Sequence, residues 1–363
     1  MKEIKQIIQL YDLLKSSSID MALASIVYTE ESSYRRVGAR MLVSAHGEWT
    51  GGISGGCLEG DALHKSQAAI HNKVSSIVRY DTTDDDENQI GIGLGCNGVI
   101  DVLFTPIDIK DENNEIEQLK AIVDKRSPSI LIKIIHSDNM HHVGQSRIIS
   151  DEDEDINFVN IPDSLLQENV RTLSLRKKSS IIEYQEGDNS KGRFLIEYIQ
   201  PQTHIVIVGD NYDAIALSAV ASEMGWLITV IGRIRKMSKQ LTSHATYIYE
   251  YEEWDKVTID AYTAVVLMTH DYARDVAILP KILNTKPVYL GILGPKKRFI
   301  KLSDDIGICH HNTSHTIHAP IGLDIGADNP EEIAISIIAE ILAVQRERKG
   351  ESLRNRHTPI HKR

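Results

Sequence analysis

His204-Ile205-Val206-Ile207-Val208-Gly209-Asp210-Asn211-Tyr212-Asp213-Ala214 is the stretch that decides the fold of the second half of this chain. A short apolar run ends in a glycine, and the sequence from Ala214 to Met224 then reads as a helix with Gly225 placed to end it. The same short apolar strand recurs at Leu227 to Ile231, Ala264 to Met268 and Lys286 to Gly291. Asn329-Pro330-Glu331-Glu332 opens a further helix, with Asn329 as cap and Pro330 in the first turn. Its apolar face is Ile333, Ile337, Ile338, Ile341 and Leu342. Strands alternating with helices predict a parallel, doubly wound, Rossmann-like sheet.

The loop after the first strand departs from the dinucleotide fingerprint Gly-x-Gly-x-x-Gly/Ala. Gly209 and Ala214 fit, but the middle glycine is Asn211, whose side chain crowds a diphosphate, and Asp210 adds repulsion. The second strand ends in Gly232-Arg233 instead of the acid that binds a ribose. Two readings stand: a scaffold without ordinary NAD(P) binding, and an NADP site in which Arg233 takes the 2′-phosphate.

The first half carries two stretches rich in glycine and cysteine. One is Gly51-Gly52-Ile53-Ser54-Gly55-Gly56-Cys57-Leu58-Glu59-Gly60, the other Gly91-Ile92-Gly93-Leu94-Gly95-Cys96-Asn97-Gly98. Backbone with few side chains approaches a ligand closely and can turn its N–H groups toward an anion. A thiol beside such a cradle suits a phosphate-bearing ligand with sulfur or a soft metal at its other end. The competing reading of Cys57 and Cys96 is two small buried hydrophobes.

Around these loops, Ile4, Ile7, Ile8, Tyr11 and Leu14 predict an amphipathic helix. Strands are expected at Met21 to Tyr28, Ala39 to Ser44, Ser76 to Tyr80 and Val99 to Phe104, with a helix over Leu58 to Ile70. Strands at Ile130 to Ile135, Arg147 to Ser150, Ser180 to Tyr184 and Arg193 to Ile199 are expected to extend the same sheet. The acidic runs Asp84-Asp85-Asp86-Glu87 and Asp151 to Asp155 read as solvated loops. The expected organisation is an N-terminal α+β domain over 1–200, a Rossmann-like domain over 201–350 and a flexible tail over 351–363.

With 363 residues the chain suits two domains. Its formal charge of -11 disfavours general nucleic-acid binding. Three cysteines make neither a disulfide framework nor an iron–sulfur pattern. There is no apolar run of membrane-spanning length and no signal-peptide core, so a cytoplasmic protein that does not enter the membrane is expected. A homodimer is the expected assembly, from the abundance of two-fold oligomers.

Several motifs carry a resemblance. Val37-Gly38-Ala39-Arg40-Met41-Leu42-Val43, Gly51 to Gly60, Arg79-Tyr80-Asp81 and Gly93-Leu94-Gly95-Cys96 resemble the N-terminal domain of the XdhC/CoxI family. Met268-Thr269-His270-Asp271, Tyr289 through Gly294-Pro295-Lys296-Lys297-Arg298, and His318-Ala319-Pro320 through Gly326 are similar to its C-terminal Rossmann domain. Ser32-Ser33-Tyr34 stands where the family commonly has Ser-Ser-Pro.

The resemblance implies an accessory factor for molybdenum hydroxylases such as xanthine dehydrogenase. Such a factor binds molybdenum cofactor (molybdopterin), protects it during sulfuration by a cysteine desulfurase, and delivers it. It implies a binding and maturation role in place of turnover of a metabolite. The rivals are an NADP-dependent oxidoreductase and a docking protein that holds no cofactor.

Candidate cofactor contacts in the first half are Arg40, Gly55, Gly56, Cys57, Glu59, Gly95 and Cys96, with Cys57 and Cys96 as molybdenum or sulfur contacts. Arg40 pairs either with phosphate or with an internal carboxylate. Glu59 and Asp61 alternatively complement a helix dipole. In the second half the candidates are Gly209, His270, Lys296, Arg298 and His318. His270 follows an apolar strand, where doubly wound sheets place ligands, although the Thr269-His270-Asp271 segment also reads as a helix cap. Lys296-Lys297-Arg298 faces a phosphate or is a solvated basic turn. His310, His311, His315 and His318 lack the spacing of a zinc site. Cys309 reads as structural.

Overall fold

A computed structural model describes residues 1–31, 34–81, 98–149, 158–159, 161–186, 190–308 and 317–356. The chain divides into two compact units, Met1–Pro201 and Gln202–Arg356.

The first unit opens with helix α1 (Lys2–Ser16), then β1 (Met21–Glu31), β2 (Arg40–Ser44), β3 (Trp49–Gly51), α2 (Glu59–Asn72), β4 (Ser76–Asp81) and β5 (Gly98–Ile107). These strands form one antiparallel sheet in the order β3-β2-β1-β5-β4. Strand side chains alternate between faces. Ala22, Ala24 and Ile26 therefore join Ala62 and Ala69 of α2, while Met21 and Leu23 join Ile7, Tyr11 and Leu14 of α1. Covered on both faces, β1 reads as a continuous apolar run.

The unit continues with α3 (Glu115–Ile122), β6 (Ser129–His136), β7 (Ser146–Ile149), α4 (Asp163–Arg176), β8 (Ser180–Glu186) and β9 (Ser190–Ile199). The expectation that these strands extend the first sheet is wrong. They form a separate antiparallel sheet, β7-β6-β9-β8. Local apolar runs locate strands but not their pairing partners, and here β6 and β9 select each other. Leu166 and Leu173 of α4, a helix not anticipated from the sequence, complete that sheet's core with Ile132, Phe194 and Ile196.

A buried ionic cluster links the two sheets. The Arg40 guanidinium on β2 donates from Nε to Glu115 at 2.8 Å and from Nη2 to Glu197 of β9 at 2.7 Å. Lys133 of β6 lies 2.7 Å from Glu115 and donates to Ser25 Oγ at 3.1 Å. Arg40, Glu115 and Lys133 are almost wholly buried. Such a cluster persists because each charge has an opposite partner; removing one leaves a buried charge unmatched. Burial alone would raise the Glu115 carboxyl, yet Lys133 and Arg40 hold it below its ordinary range.

The second unit comprises β10 (His204–Val208), α5 (Tyr212–Glu223), β11 (Leu227–Ile231), α6 (Lys239–His244), β12 (Tyr247–Tyr249), β13 (Thr263–Leu267), α7 (Tyr272–Leu283), β14 (Tyr289–Ile292), α8 (Lys296–Asp305), β15 (Ile317–His318) and α9 (Pro330–Gln345). All pairings are parallel, in the order β12-β11-β10-β13-β14-β15. This is a Rossmann-type doubly wound sheet. Helices α5 and α9 contribute Leu217, Ile337 and Ile341 to the core on one face, and α7 and α8 contribute Leu279, Ile282 and Leu302 on the other. The α9 start is as read from sequence: Asn329 Oδ1 accepts the Glu332 N–H at 2.9 Å, with Pro330 at the first turn. The strand order reverses between β10 and β13, and the loops after these two strands flank the place where such sheets bind ligands.

Candidate functional site

In the first unit, Cys57 is exposed on the loop between β3 and α2. Gly55 and Gly56 beside it are exposed too, and a Cβ at Gly56 would meet no atom within 4 Å. The competing reading of Cys57 as a small buried hydrophobe is not what the fold does.

The loop owes its shape to two residues. The Glu59 carboxylate accepts the N–H groups of Ile53 (3.2 Å) and Ser54 (2.8 Å) and the Ser54 hydroxyl. Ser54 Oγ in turn accepts the N–H groups of Gly56 (3.2 Å) and Leu58 (3.0 Å). Burial would raise the Glu59 carboxyl, but these donors hold it below its ordinary range. The loop's anion cradle is therefore occupied by its own glutamate. The helix-dipole reading of Glu59 gives way to a stapling role, while Asp61 accepts the Tyr80 hydroxyl at 2.6 Å.

The Tyr34 ring lies beside Gly55, 3.5 Å from where a Cβ would stand. Arg40 has taken the internal-carboxylate alternative and is buried away from solvent. Gly95 and Cys96 lie outside the described residues, as do Cys309, His310, His311 and His315.

In the second unit the fingerprint loop is laced shut. Gly209 passes so close to β13 that a Cβ would lie 2.6 Å from the Met268 carbonyl oxygen. Asn211 donates from Nδ2 to that same carbonyl, and its Oδ1 accepts the Ala214 N–H at 3.1 Å, capping α5. The helix end that a diphosphate would use is thus filled by a side chain. Asp210 is spent on Arg233, which donates Nε and Nη2 to it, both at 2.7 Å. Arg233 holds the Asp210 carboxyl below its ordinary range. The residues present do not fit a dinucleotide diphosphate on α5.

Across the same crevice, His270 sits in the left-handed region (φ 57°) and its Nε2 lies 2.8 Å from Asp213 Oδ2. A non-glycine residue there is uncommon and points to a constraint. Asp271 caps α7 by accepting the Arg274 N–H at 3.3 Å, so capping belongs to Asp271 and His270 is left to face Asp213. Asp213 lies inside the fingerprint loop, so its position there was the signal that sequence reading passed over.

Lys296 is exposed at the start of α8. Arg298 donates to the buried Asp275 at 2.5 Å, and Asp275 also accepts the Thr269 hydroxyl. His318 stacks on Tyr289, ring centres 4.4 Å apart, with Nδ1 3.3 Å from Glu340. Glu340 also accepts the Gly322 N–H at 2.8 Å and the Tyr289 hydroxyl. Burial raises the Tyr289 phenol, and Glu340 adds to that. These pairings make His318 and Arg298 parts of internal networks. Among the described residues no cluster of three His, Cys, Asp or Glu side chains forms a metal site, and no helix is long and apolar enough to cross a membrane.

Two family models match the chain: the XdhC Rossmann domain over residues 205–341, and the XdhC and CoxI family over residues 15–81. The chain belongs to the XdhC and CoxI family. A similar relative is a probable xanthine dehydrogenase subunit of Bacillus subtilis, 28% identical over 92% of this chain and 96% of that protein. Another is the molybdenum cofactor insertion chaperone PaoD of Escherichia coli, 23% identical over 91% of this chain and 85% of PaoD. The crystal structure of a protein described as a xanthine dehydrogenase from Bacillus halodurans superposes with a TM-score of 0.75 at 27% identity. That match covers 95% of this chain and 98% of the other.

Proposed function

We propose that this XdhC-family chain is a maturation factor whose cargo is molybdenum cofactor. The observation that carries the reading is Cys57, an exposed thiol on a loop stapled from within by Glu59 and Ser54. A thiolate is a soft ligand suited to molybdenum or to a transferable sulfur, and Gly56 beside it leaves open space for a cargo. The similarity to a molybdenum cofactor insertion chaperone points the same way. In this reading Cys96 supplies a second soft contact. The chain shelters the cofactor while a cysteine desulfurase provides its terminal sulfur, then hands it to a xanthine dehydrogenase-type molybdenum hydroxylase. It works as a cytoplasmic homodimer.

Anaerobic loading tests this. The chain is mixed with molybdenum cofactor and gel-filtered, and the protein peak is assayed for molybdenum and pterin fluorescence. Stoichiometric co-elution, lost in the Cys57→Ala, Cys96→Ala variant, is the expected result. Full retention by that variant removes the thiol role. Absence of both signals beside a working positive control favours a docking protein that brings hydroxylase and desulfurase together.

A further inference from the structure

Helix α9 buries Ala334, Ile337, Ile338 and Ile341 in the core of the second unit, yet its opposite side is apolar as well. At 3.6 residues per turn, Glu331, Ile335, Ala339, Leu342 and Arg346 fall within an arc of about 80° on that opposite side. Ile335 is 54% exposed, Ala339 and Leu342 are half-buried, and Glu331 and Arg346 are exposed. The other two charges of the helix are engaged elsewhere. Glu332 accepts the Asp328 N–H at 2.8 Å, and Glu340 accepts the Tyr289 hydroxyl and the Gly322 N–H. From one end to the other, the outer stripe therefore runs acid, three apolar side chains, base. A surface helix ordinarily turns a polar face to water; this one does so only at its two ends.

That order of residues is complementary to its own reverse. When a second α9 lies antiparallel to the first, with the two-fold axis beside Ala339, Ile335 meets the partner's Leu342 and Glu331 meets the partner's Arg346. Two-fold symmetry makes each of these contacts twice. Ala339 meets its own counterpart at the axis, where so small a side chain lets the helices approach closely. The arrangement also sets each helix N-terminus beside a C-terminus, which the helix dipoles favour. Within one chain Glu331 and Arg346 stand about 22 Å apart along the helix and cannot pair with each other. An unrelated partner would require no such symmetry.

We propose that the outer face of α9 is the two-fold interface between two copies of this chain. The inference rests on the homodimer of the proposed function and deepens it by naming the surface. One helix pair lies at the small end of stable interfaces, so the dimer dissociates in the micromolar range.

Sedimentation velocity of the full chain across a micromolar concentration series tests this. The parent should show a monomer–dimer equilibrium. Ile335→Glu, which sets a carboxylate against the partner's Leu342, should raise the dimer dissociation constant at least about 10-fold. Glu331→Lys and Arg346→Glu should each raise it about 3- to 10-fold, because each sets like charges face to face. The two charge substitutions combined in one chain should bring it back near the parent value, a rescue that only a contact between chains can give. The thermal midpoint of monomeric Ile335→Glu should match that of the monomeric parent, since the replaced side chain is exposed. A lowered midpoint shows that this face serves the chain's own fold and overturns the proposal. A dimer that survives Ile335→Glu and both charge substitutions places the interface elsewhere, which overturns the proposal and leaves the homodimer standing. A parent that stays monomeric throughout overturns both. Single charge variants that weaken the dimer without rescue by the combination overturn the antiparallel arrangement. Molybdenum and pterin co-elution on the same variants is a separate signal, so failure of the cargo reading is told apart from failure of the interface.

Discussion

The glycine loop that ends in Cys57-Leu58-Glu59 and the fingerprint loop Gly209–Ala214 look like two versions of one device, and the fold treats them alike only up to a point. Each opens on glycine after a strand, and each adjoins the start of a helix. Both turn out to be filled from within. In the first, Glu59 and Ser54 take the N–H groups of Ile53, Ser54, Gly56 and Leu58. In the second, Asn211 takes the Ala214 N–H and ties the loop to Met268. What differs is the side chain each holds toward solvent: a thiol in one, a histidine–carboxylate pair in the other. Glycine content shows that backbone can approach a ligand; the ownership of each N–H decides whether an anion can.

The largest effect should come from the scaffold behind the first loop. The Arg40 carbonyl accepts the Gly52 N–H at 2.9 Å, and its guanidinium is matched to Glu115 and Glu197. Arg40→Met leaves two carboxylates facing Lys133 alone and should cost about 3–5 kcal/mol in urea denaturation. A loss below about 1 kcal/mol would mean that the cluster adds little, and that the first unit rests, like the second, on apolar contacts.

Glu59→Gln comes next, at about 1.5–3 kcal/mol, because a neutral amide replaces a charged acceptor of several donors. It should also raise the rate at which a thiol reagent labels Cys57, since the loop loses its staple. The pH dependence follows from the lowered Glu59 carboxyl. A carboxyl held lower in the folded state contributes stability that is complete above the unfolded value, about 4.3. That contribution is lost as pH falls through the folded value. The parent should therefore lose more stability than Glu59→Gln between about pH 5 and pH 3. Parallel acid profiles would detach Glu59 from the loop's stability.

Asn211→Gly probes the second loop. An asparagine cap replaced by glycine loses only a few tenths of a kcal/mol, and the bond to Met268 adds about 1 kcal/mol. The total of roughly 1–1.5 kcal/mol should appear in the same denaturation assay. Restoring the Gly-x-Gly spacing also tests why this loop excludes a diphosphate. NADP⁺ binding that appears only in the variant would assign the exclusion to Asn211. Continued absence would shift it to Asp210, held in place by Arg233.

What could be read beforehand divides along physical lines. The second unit was legible because a parallel sheet buried on both faces writes each strand as a short apolar run, and its helices announce themselves through Asn329, Pro330 and Gly225. The first sheet was legible for similar reasons. The separate sheet β7-β6-β9-β8 was not, since pairing between distant strands leaves no local signature. Arg40 shows the same limit for side chains. Its type allowed phosphate or carboxylate, and only Glu115 and Glu197, 75 and 157 residues away, decide between them. Asn211 was legible as a misfit, but its bond to the distant Met268 carbonyl was not.

The smallest stability effect should belong to the His270–Asp213 pair. The His270 side chain is more than half exposed, and exposed pairs contribute about 0–1 kcal/mol. His270→Gly also releases a left-handed residue to the one amino acid that adopts that conformation without steric cost, which offsets part of the lost pairing. Its unfolding midpoint should therefore lie within about 1 kcal/mol of the parent. Asp213→Asn should be equally mild, since it keeps the shape of the side chain. If both variants stay folded while loading with molybdenum cofactor falls, the pair serves the crevice. If His270→Gly instead unfolds the unit, His270 belongs with Asn211 as part of the lacing, and the two glycine loops resemble each other more than their exposed side chains suggest.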